Sequence, residues 1–284
     1  MADSPSELLR RYGLRPKHSW GQNFLGDEHA LDRIVQAVNI QPGEVVVELG
    51  PGLGHLTRKL LGAGARLTAV ERDRDMVRVL EDQKLPGLTV VAGNAADVDF
   101  AKVAGVPDGA DVAVVGNLPY HLSSSILFEV LEQRERVSRA VFTLQQEVVT
   151  RLAAEPGNRD YGLLTVLLGL SFDVEELFSL PSHLFTPPPK VDSAVVRLSR
   201  LPKPRAQVVD HARFVRVVKA GFAHRRKTLL NSLRSDARLG DTEALCAALA
   251  QAGVEPGRRA ETLSPEEFAA IERALPPPPG NRPG

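Results

Sequence analysis

Cys246 is the only cysteine in this 284-residue chain, so no intramolecular disulfide can form and a reducing compartment is the natural setting. A cysteine-rich zinc site is excluded as well. The seven histidines are scattered without a paired helical ligand motif, and no metal is expected. Long apolar runs are also missing: the longest, Leu163 to Leu170, is too short to cross a bilayer, and the N-terminus lacks the apolar core of a secretory signal. These features predict a cytoplasmic protein with no membrane partner. Neither sign of charge is in excess, with 35 basic against 35 acidic side chains, so a basic pI gives no pointer to nucleic acid. No Gly-x-Ser-x-Gly elbow or Walker A loop occurs, which removes the common serine hydrolases and P-loop phosphotransferases. Solenoid repeats and a coiled-coil seam are absent too, and a monomer is expected.

What is present is an ordinary globular composition, 43% hydrophobic and 25% charged, at a length that suggests about two domains. The first part alternates short β-branched runs with helical patterns. Strands are predicted at Val45 to Leu49, Leu67 to Glu71, Leu88 to Ala92, Val112 to Val115 and Ala140 to Leu144. Helices are predicted at His55 to Leu61, Arg74 to Leu85 and Ile126 to Leu131. This rhythm indicates a doubly wound, Rossmann-like α/β domain whose ligand lies across the carboxyl ends of the strands. Beyond Leu198 a linker, Arg200 to Arg205, leads into helical patterns. Phe214, Val217, Val218, Gly221 and Phe222 share one face of a helix there, with Arg213, Arg216 and Lys219 mostly away from it. Cys246, in the apolar helical stretch Glu243 to Leu249, is expected to be a buried small residue. The expected division is 1–200 for the α/β domain with an N-terminal covering segment, 201–275 for a smaller α-helical domain, and 276–284 for a disordered proline-rich tail.

Between the first strand and the first helix stands Glu48-Leu-Gly-Pro-Gly-Leu-Gly54. Alternating glycines let a ligand approach the backbone, and the helix N-terminus offers unpaired N–H groups. Gly50 and Gly52 fit the dinucleotide fingerprint, but His55 occupies its sixth position. Glu71, about 20 residues on, is where a carboxylate accepts bonds from ribose hydroxyls. These residues alone indicate a nucleoside cofactor and leave NAD and S-adenosylmethionine both open.

The fourth strand ends in Asn117-Leu-Pro-Tyr120, which places a carboxamide, a carbonyl and an aromatic ring at the same edge. That set suits methyl transfer to the exocyclic amine of a base. Such an amine is a poor nucleophile because its lone pair is delocalised into the ring, so the site should accept hydrogen bonds from its hydrogens. The Asn117 oxygen and the Leu118 carbonyl are the candidate acceptors. Pro119 stiffens the turn, and Tyr120 offers a face for stacking.

Glu48 to Gly54 together with Asn117 to Tyr120 resembles the signature pair of the ribosomal RNA adenine dimethyltransferases, enzymes that use S-adenosylmethionine. Lys17-His-Ser-Trp-Gly-Gln-Asn-Phe-Leu25, Leu144-Gln-Gln-Glu-Val148, Asp160-Tyr-Gly162 and Phe185-Thr-Pro-Pro-Pro-Lys-Val-Asp-Ser193 follow in the family's order. So do His224-Arg-Arg-Lys-Thr-Leu-Leu-Asn-Ser-Leu233 and Arg259-Ala-Glu-Thr-Leu-Ser264. The resemblance runs from about Lys17 to Phe268. It points to the branch acting on 16S RNA of the small (30S) subunit, which dimethylates two adjacent adenosines in a hairpin loop near the 3′ end, rather than to relatives that methylate large-subunit RNA. It implies that Asn23 and Leu25 close over the cofactor, that Gly50 meets its methionine or ribose portion, and that Glu71 holds the ribose. Asn117 would border cofactor and target base, and Phe185 would face Tyr120 across a splayed-out adenine. Where the family has Gly-Asp-Ala, this chain has Gly93-Asn94-Ala95, so Asn94 would accept from the cofactor's adenine without charge assistance. Arg225, Arg226 and Lys227 are the expected RNA phosphate contacts. A second expectation from the residues is an assembly factor whose docking on an immature subunit matters more than its catalysis.

Overall fold

The computed structural model describes residues 3–276 and divides into two compact units. One comprises Met1–Val149 and Val174–Arg200, the other Thr150–Asp173 and Leu201–Gly284.

The first unit is built on strands β1 (Val45–Leu49), β2 (Arg66–Glu71), β3 (Leu88–Ala92), β4 (Val112–Asn117), β5 (Val137–Gln145), β6 (Phe172–Leu180) and β7 (Ser193–Arg200). They form one seven-stranded sheet in the order β3-β2-β1-β4-β5-β7-β6. Pairing is parallel from β3 to β5 and antiparallel between β5 and β7. The order reverses at β1, so the crevice at the carboxyl ends of β1 and β4 is where ligands bind in such sheets. Val46, Val47, Val114 and Val115 are fully buried, as strands covered on both faces require. The helix His55–Gly62 follows the glycine loop with Gly54 at its N-cap and no side-chain cap.

The five predicted strands are all present; β6 and β7 were not among them, nor were the helices Pro5–Tyr12 and Glu28–Val38. The helix predicted to run to Leu85 stops at Asp82. Lys84 turns left-handed there (φ 47°), and Leu85, preceding Pro86, is disfavoured in the α region.

The expected single boundary at residue 200 differs from the observed division, because Thr150–Asp173 clusters with the C-terminal segment. Several bonds tie these stretches together. The Leu201 N–H donates to the Ser171 carbonyl (2.9 Å) and the Gly157 N–H to the Glu261 carbonyl (2.7 Å), while the Tyr161 and Phe222 rings lie 6.3 Å apart. The apolar helix Leu163–Gly169 therefore serves the second unit, which periodicity alone could not assign.

Within that unit, Phe214, Val217 and Val218 of the helix His211–Phe222 are fully buried, as the pattern predicted. Arg213 departs from the expectation of an outward-facing base. Its Nε donates to Glu272 Oε1 (2.8 Å), and fully buried Glu272 also accepts the Val209 and Asp210 N–H groups. This charge is used internally. Cys246 is half-buried on the helix Thr242–Gln251 rather than fully enclosed. Apart from Pro276, the proline-rich tail lies outside the described residues.

Candidate functional site

A cavity of about 210 Å³ opens in the first unit, at the carboxyl ends of the central strands. Its floor is the glycine loop. Gly50, Gly52 and Gly54 all have positive φ (68°, 54° and 81°), a region that side chains with a Cβ rarely adopt. Gly52 is also closely packed: a Cβ there would come within 2.9 Å of the Phe24 ring. At Gly50 the same atom would project into open cavity, no nearer than 4.0 Å to the Asn117 carbonyl and Pro119.

Two carboxylates stand at the carboxyl ends of the adjacent strands β1 and β2. Glu71 is 8% exposed; its Oε2 accepts the Gly52 N–H (3.0 Å) and its Oε1 the Asp73 N–H (2.8 Å). Each oxygen retains a second lone pair for a ligand hydroxyl. Burial raises the Glu71 pKa, opposed by those backbone bonds. Glu48 is 1% exposed and accepts a bond from Thr57 Oγ1 (2.7 Å). Burial pushes its carboxyl up to about 8, and the charge of Glu71 adds to the rise.

Asn117, Leu118, Pro119 and Tyr120 line the same cavity. The Asn117 Nδ2 donates to the Asn23 carbonyl (3.0 Å), which leaves Oδ1 without a partner among the described residues. The Leu118 N–H is held by the Thr143 carbonyl (3.2 Å). Tyr120 is half-buried, with its hydroxyl 2.7 Å from Ser193 Oγ, and burial raises its pKa, so the phenol stays neutral. Asn94 also reaches the cavity. Its Nδ2 is committed to Asp97 Oδ2 (2.6 Å), which turns Oδ1 into the available acceptor, since its own bond from the Ala96 N–H is long (3.4 Å).

The segment Phe24–Leu25 pairs antiparallel with Phe185–Thr186, placing Leu25 opposite Phe185. Both line the cavity, yet both are buried, 4% and 2% exposed, in a cluster with Leu31 and Val195. Buried in this cluster and paired with Leu25, Phe185 anchors the loop as well as walling the cavity.

Sequence reasoning missed the residues that brace this site. Asp73, 1% exposed, accepts from Lys17 Nζ (2.6 Å) and Gln22 Nε2 (2.7 Å), which ties the N-terminal segment to the loop after β2. Trp20 sits at this junction, with Lys17 Nζ at 5.1 Å and the Arg72 guanidinium at 5.0 Å from its ring centroid. Lys17 and Gln22 lie within the Lys17 to Leu25 segment, but nothing local in the sequence points to Asp73.

The basic cluster lies in the second unit. Arg225, Arg226 and Lys227 are exposed in the turn between the helices His211–Phe222 and Leu229–Leu233, not on a helix face. Proline and glycine are absent there, so nothing local in the sequence marks the end of the first helix; Asp210 caps its N-terminus and Ala223 is its C-cap. Arg225 donates to the Arg159 carbonyl. Among the described residues no group of acidic, histidine or cysteine side chains could hold a metal ion.

An open α/β sheet with this strand order, carrying a glycine cradle and an acidic strand end beside an acceptor carboxamide, defines an S-adenosylmethionine-dependent methyltransferase. The residues suit that cofactor: Glu71 retains acceptor capacity for ribose hydroxyls, Asn94 presents an acceptor oxygen, and Gly50 leaves the cradle open where a side chain would fill it. The ribosomal RNA adenine dimethylase family model matches residues 13–275, and the chain belongs to this family of RNA-modifying enzymes. It is 70% identical over 275 residues to ribosomal RNA small subunit methyltransferase A of Myxococcus xanthus, covering 97% of this chain and 96% of that one. The enzyme of the same name from Anaeromyxobacter sp. (strain K) is 55% identical over 280 residues, covering 96% and 98%. Among solved structures, a dimethyladenosine transferase from Plasmodium falciparum aligns with a TM-score of 0.75 at 24% identity, over 87% of this chain and 95% of that one. The 23S rRNA methyltransferase ErmE aligns with a TM-score of 0.66 at 29% identity, over 89% and 99%.

Proposed function

We propose that this enzyme methylates the N6 amines of two adjacent adenosines in the hairpin loop near the 3′ end of 16S rRNA, each twice, within the small ribosomal subunit. The observation that carries the chemistry is the Asn117 carboxamide, whose nitrogen is committed to Asn23 and whose oxygen is left free on the cavity that also holds the glycine cradle and Glu71. The small-subunit assignment is supported by the names of the high-identity relatives.

In this reading Asn23, Leu25, Gly50, Gly52, Glu71 and Asn94 hold S-adenosylmethionine, which supplies an electrophilic methyl group on a sulfonium centre. No strong base is needed, since the amine's proton can leave after the new bond forms. Asn117 Oδ1 and the Leu118 carbonyl accept the amino hydrogens and draw the nitrogen lone pair out of conjugation. Pro119 stiffens the turn that follows them. Tyr120, tethered through Ser193, stacks on the flipped adenine, and Phe185 supplies an apolar wall that excludes water. A monomethylated amine has only one hydrogen left, so the two acceptors cannot both remain bonded and the two transfers differ in rate. Arg225, Arg226 and Lys227 contact RNA phosphates without reading sequence. The enzyme acts as a monomer in the cytoplasm, and no helix among the described residues is long and apolar enough to cross a membrane.

The test is Asn117→Ala, assayed by single-turnover methyl transfer and by binding to the small subunit. Transfer should be lost with RNA and cofactor binding retained; transfer at the parent rate would refute the acceptor role.

A further inference from the structure

The orientation of Asn117 is imposed from outside its own turn. An Asn carboxamide has a broad, roughly two-fold torsion, and a half-turn exchanges donor and acceptor. The group facing it is the Asn23 carbonyl, which can only accept, so the Nδ2 must point there (3.0 Å) and Oδ1 is the atom left for a base in the cavity. Asn23 is in turn held by its neighbour. Gln22 Oε1 accepts the Lys17 N–H (2.8 Å), and Gln22 Nε2 donates to Asp73 Oδ2 (2.7 Å). Asp73 Oδ1 accepts from Lys17 Nζ (2.6 Å) and from the Asp75 N–H (3.0 Å), while the Asp73 N–H goes to Glu71 Oε1 (2.8 Å). These hydrogen bonds, joined through the peptide between Gln22 and Asn23, link the acidic end of β2 to the acceptor amide at the end of β4.

We propose that Gln22 and Asp73 are positioning residues: by fixing the Asn23 carbonyl they set the face that Asn117 presents to the target amine. The inference rests on the reading of Asn117 as hydrogen-bond acceptor. Neither residue need touch substrate. The short ladder between Phe24–Leu25 and Phe185–Thr186 retains the segment's general course when the link is cut, so the expected effect is on orientation rather than on folding. Partial loss of one preoriented acceptor should slow transfer by roughly tenfold, below the effect of deleting the acceptor itself.

The experiment is Gln22→Met, which keeps the side-chain length and removes both bonds, with Asp73→Asn as a second variant should the first fold poorly. Single-turnover transfer at saturating RNA and cofactor should fall about tenfold. Affinity for S-adenosylhomocysteine by calorimetry should fall by less than the transfer rate does, and the loss of a bond to the buried Asp73 carboxylate should lower the thermal midpoint without preventing folding. Acrylamide quenching of Trp20, the only tryptophan, should increase in the free protein, because the ring packs against Lys17 and Arg72 at this junction. A parent-like rate with raised quenching would overturn the proposal, and so would a slowed rate explained entirely by weaker cofactor binding. The two readings separate cleanly. If Asn117→Ala is inactive and both positioning variants are normal, only this inference fails; if Asn117→Ala transfers normally, the acceptor reading fails and takes the inference with it.

Discussion

The substitution Glu48→Gln should change how the stability of the first unit depends on pH. Glu48 is 1% exposed, its carboxyl is pushed from the ordinary 4.5 up to about 8, and burial is the main cause. The unfolded chain loses this proton near pH 4.5, whereas the native protein retains it until about pH 8. Between those limits the native state binds more protons, so its stability falls as pH rises and levels off above pH 8. At about 1.4 kcal/mol per pH unit, the carboxyl contributes a loss of about 3 kcal/mol between pH 5.5 and 8. The carboxamide of the Glu48→Gln variant would not titrate, and its oxygen can still accept from Thr57 Oγ1, which donates to Glu48 Oε2 in the parent (2.7 Å). Urea unfolding followed by Trp20 fluorescence reports the unit that contains this site. The stability difference between variant and parent should widen in the variant's favour with rising pH; His55, lowered by burial, contributes equally to both, whereas the repulsion between Glu71 and Glu48 is present only in the parent and adds to the widening. A difference that stays constant across that pH range would refute the reasoning.

Other outcomes follow from the same structure. Glu272→Ala leaves Arg213 and two backbone N–H groups without their buried acceptor, so the second unit should lose about 3–5 kcal/mol in chemical denaturation; a loss below about 1 kcal/mol would mean that the pair is dispensable. Gly52→Ala combines a left-handed φ of 54° with a 2.9 Å approach to Phe24 and should weaken S-adenosylhomocysteine binding at least about tenfold by calorimetry. Gly62→Ala, with open space around it, is the control and should bind normally. Reversing Arg225, Arg226 and Lys227 to Glu should weaken RNA binding and lower the slope of log affinity against log salt by roughly 2–3, with cofactor affinity unchanged. An unaltered affinity at low salt would remove these residues from the RNA interface.

The parts of the molecule legible in the sequence are those specified locally. Strands β1 to β5 announced themselves because apolar runs such as Val45–Leu49 and Val112–Asn117 are bounded by glycine, proline or turn residues. The cradle was legible because Gly50, Gly52 and Gly54 need positive φ within one short loop. Strand β6 was not. Its exposed and buried residues are mixed along Phe172–Leu180, as befits an edge strand with little apolar signal. The bracing of the site escaped for a different reason: Lys17 and Asp73 are 56 residues apart, and no local pattern pairs them. Arg213 looked like part of a solvated basic face because its partner, Glu272, is 59 residues away on another helix. The motif around Phe185 suggests a cavity wall, but its 2% exposure comes from packing that only the assembled core defines.

The central claim concerns the reaction and its target. It is tested most directly by incubating the enzyme and labelled S-adenosylmethionine with small ribosomal subunits that lack the two dimethyladenosines, then digesting the RNA and identifying the modified nucleosides. The account predicts N6,N6-dimethyladenosine at two adjacent positions in the 3′-end hairpin. Subunit binding without transfer, or label in any nucleoside other than N6-methylated adenosine, would contradict it.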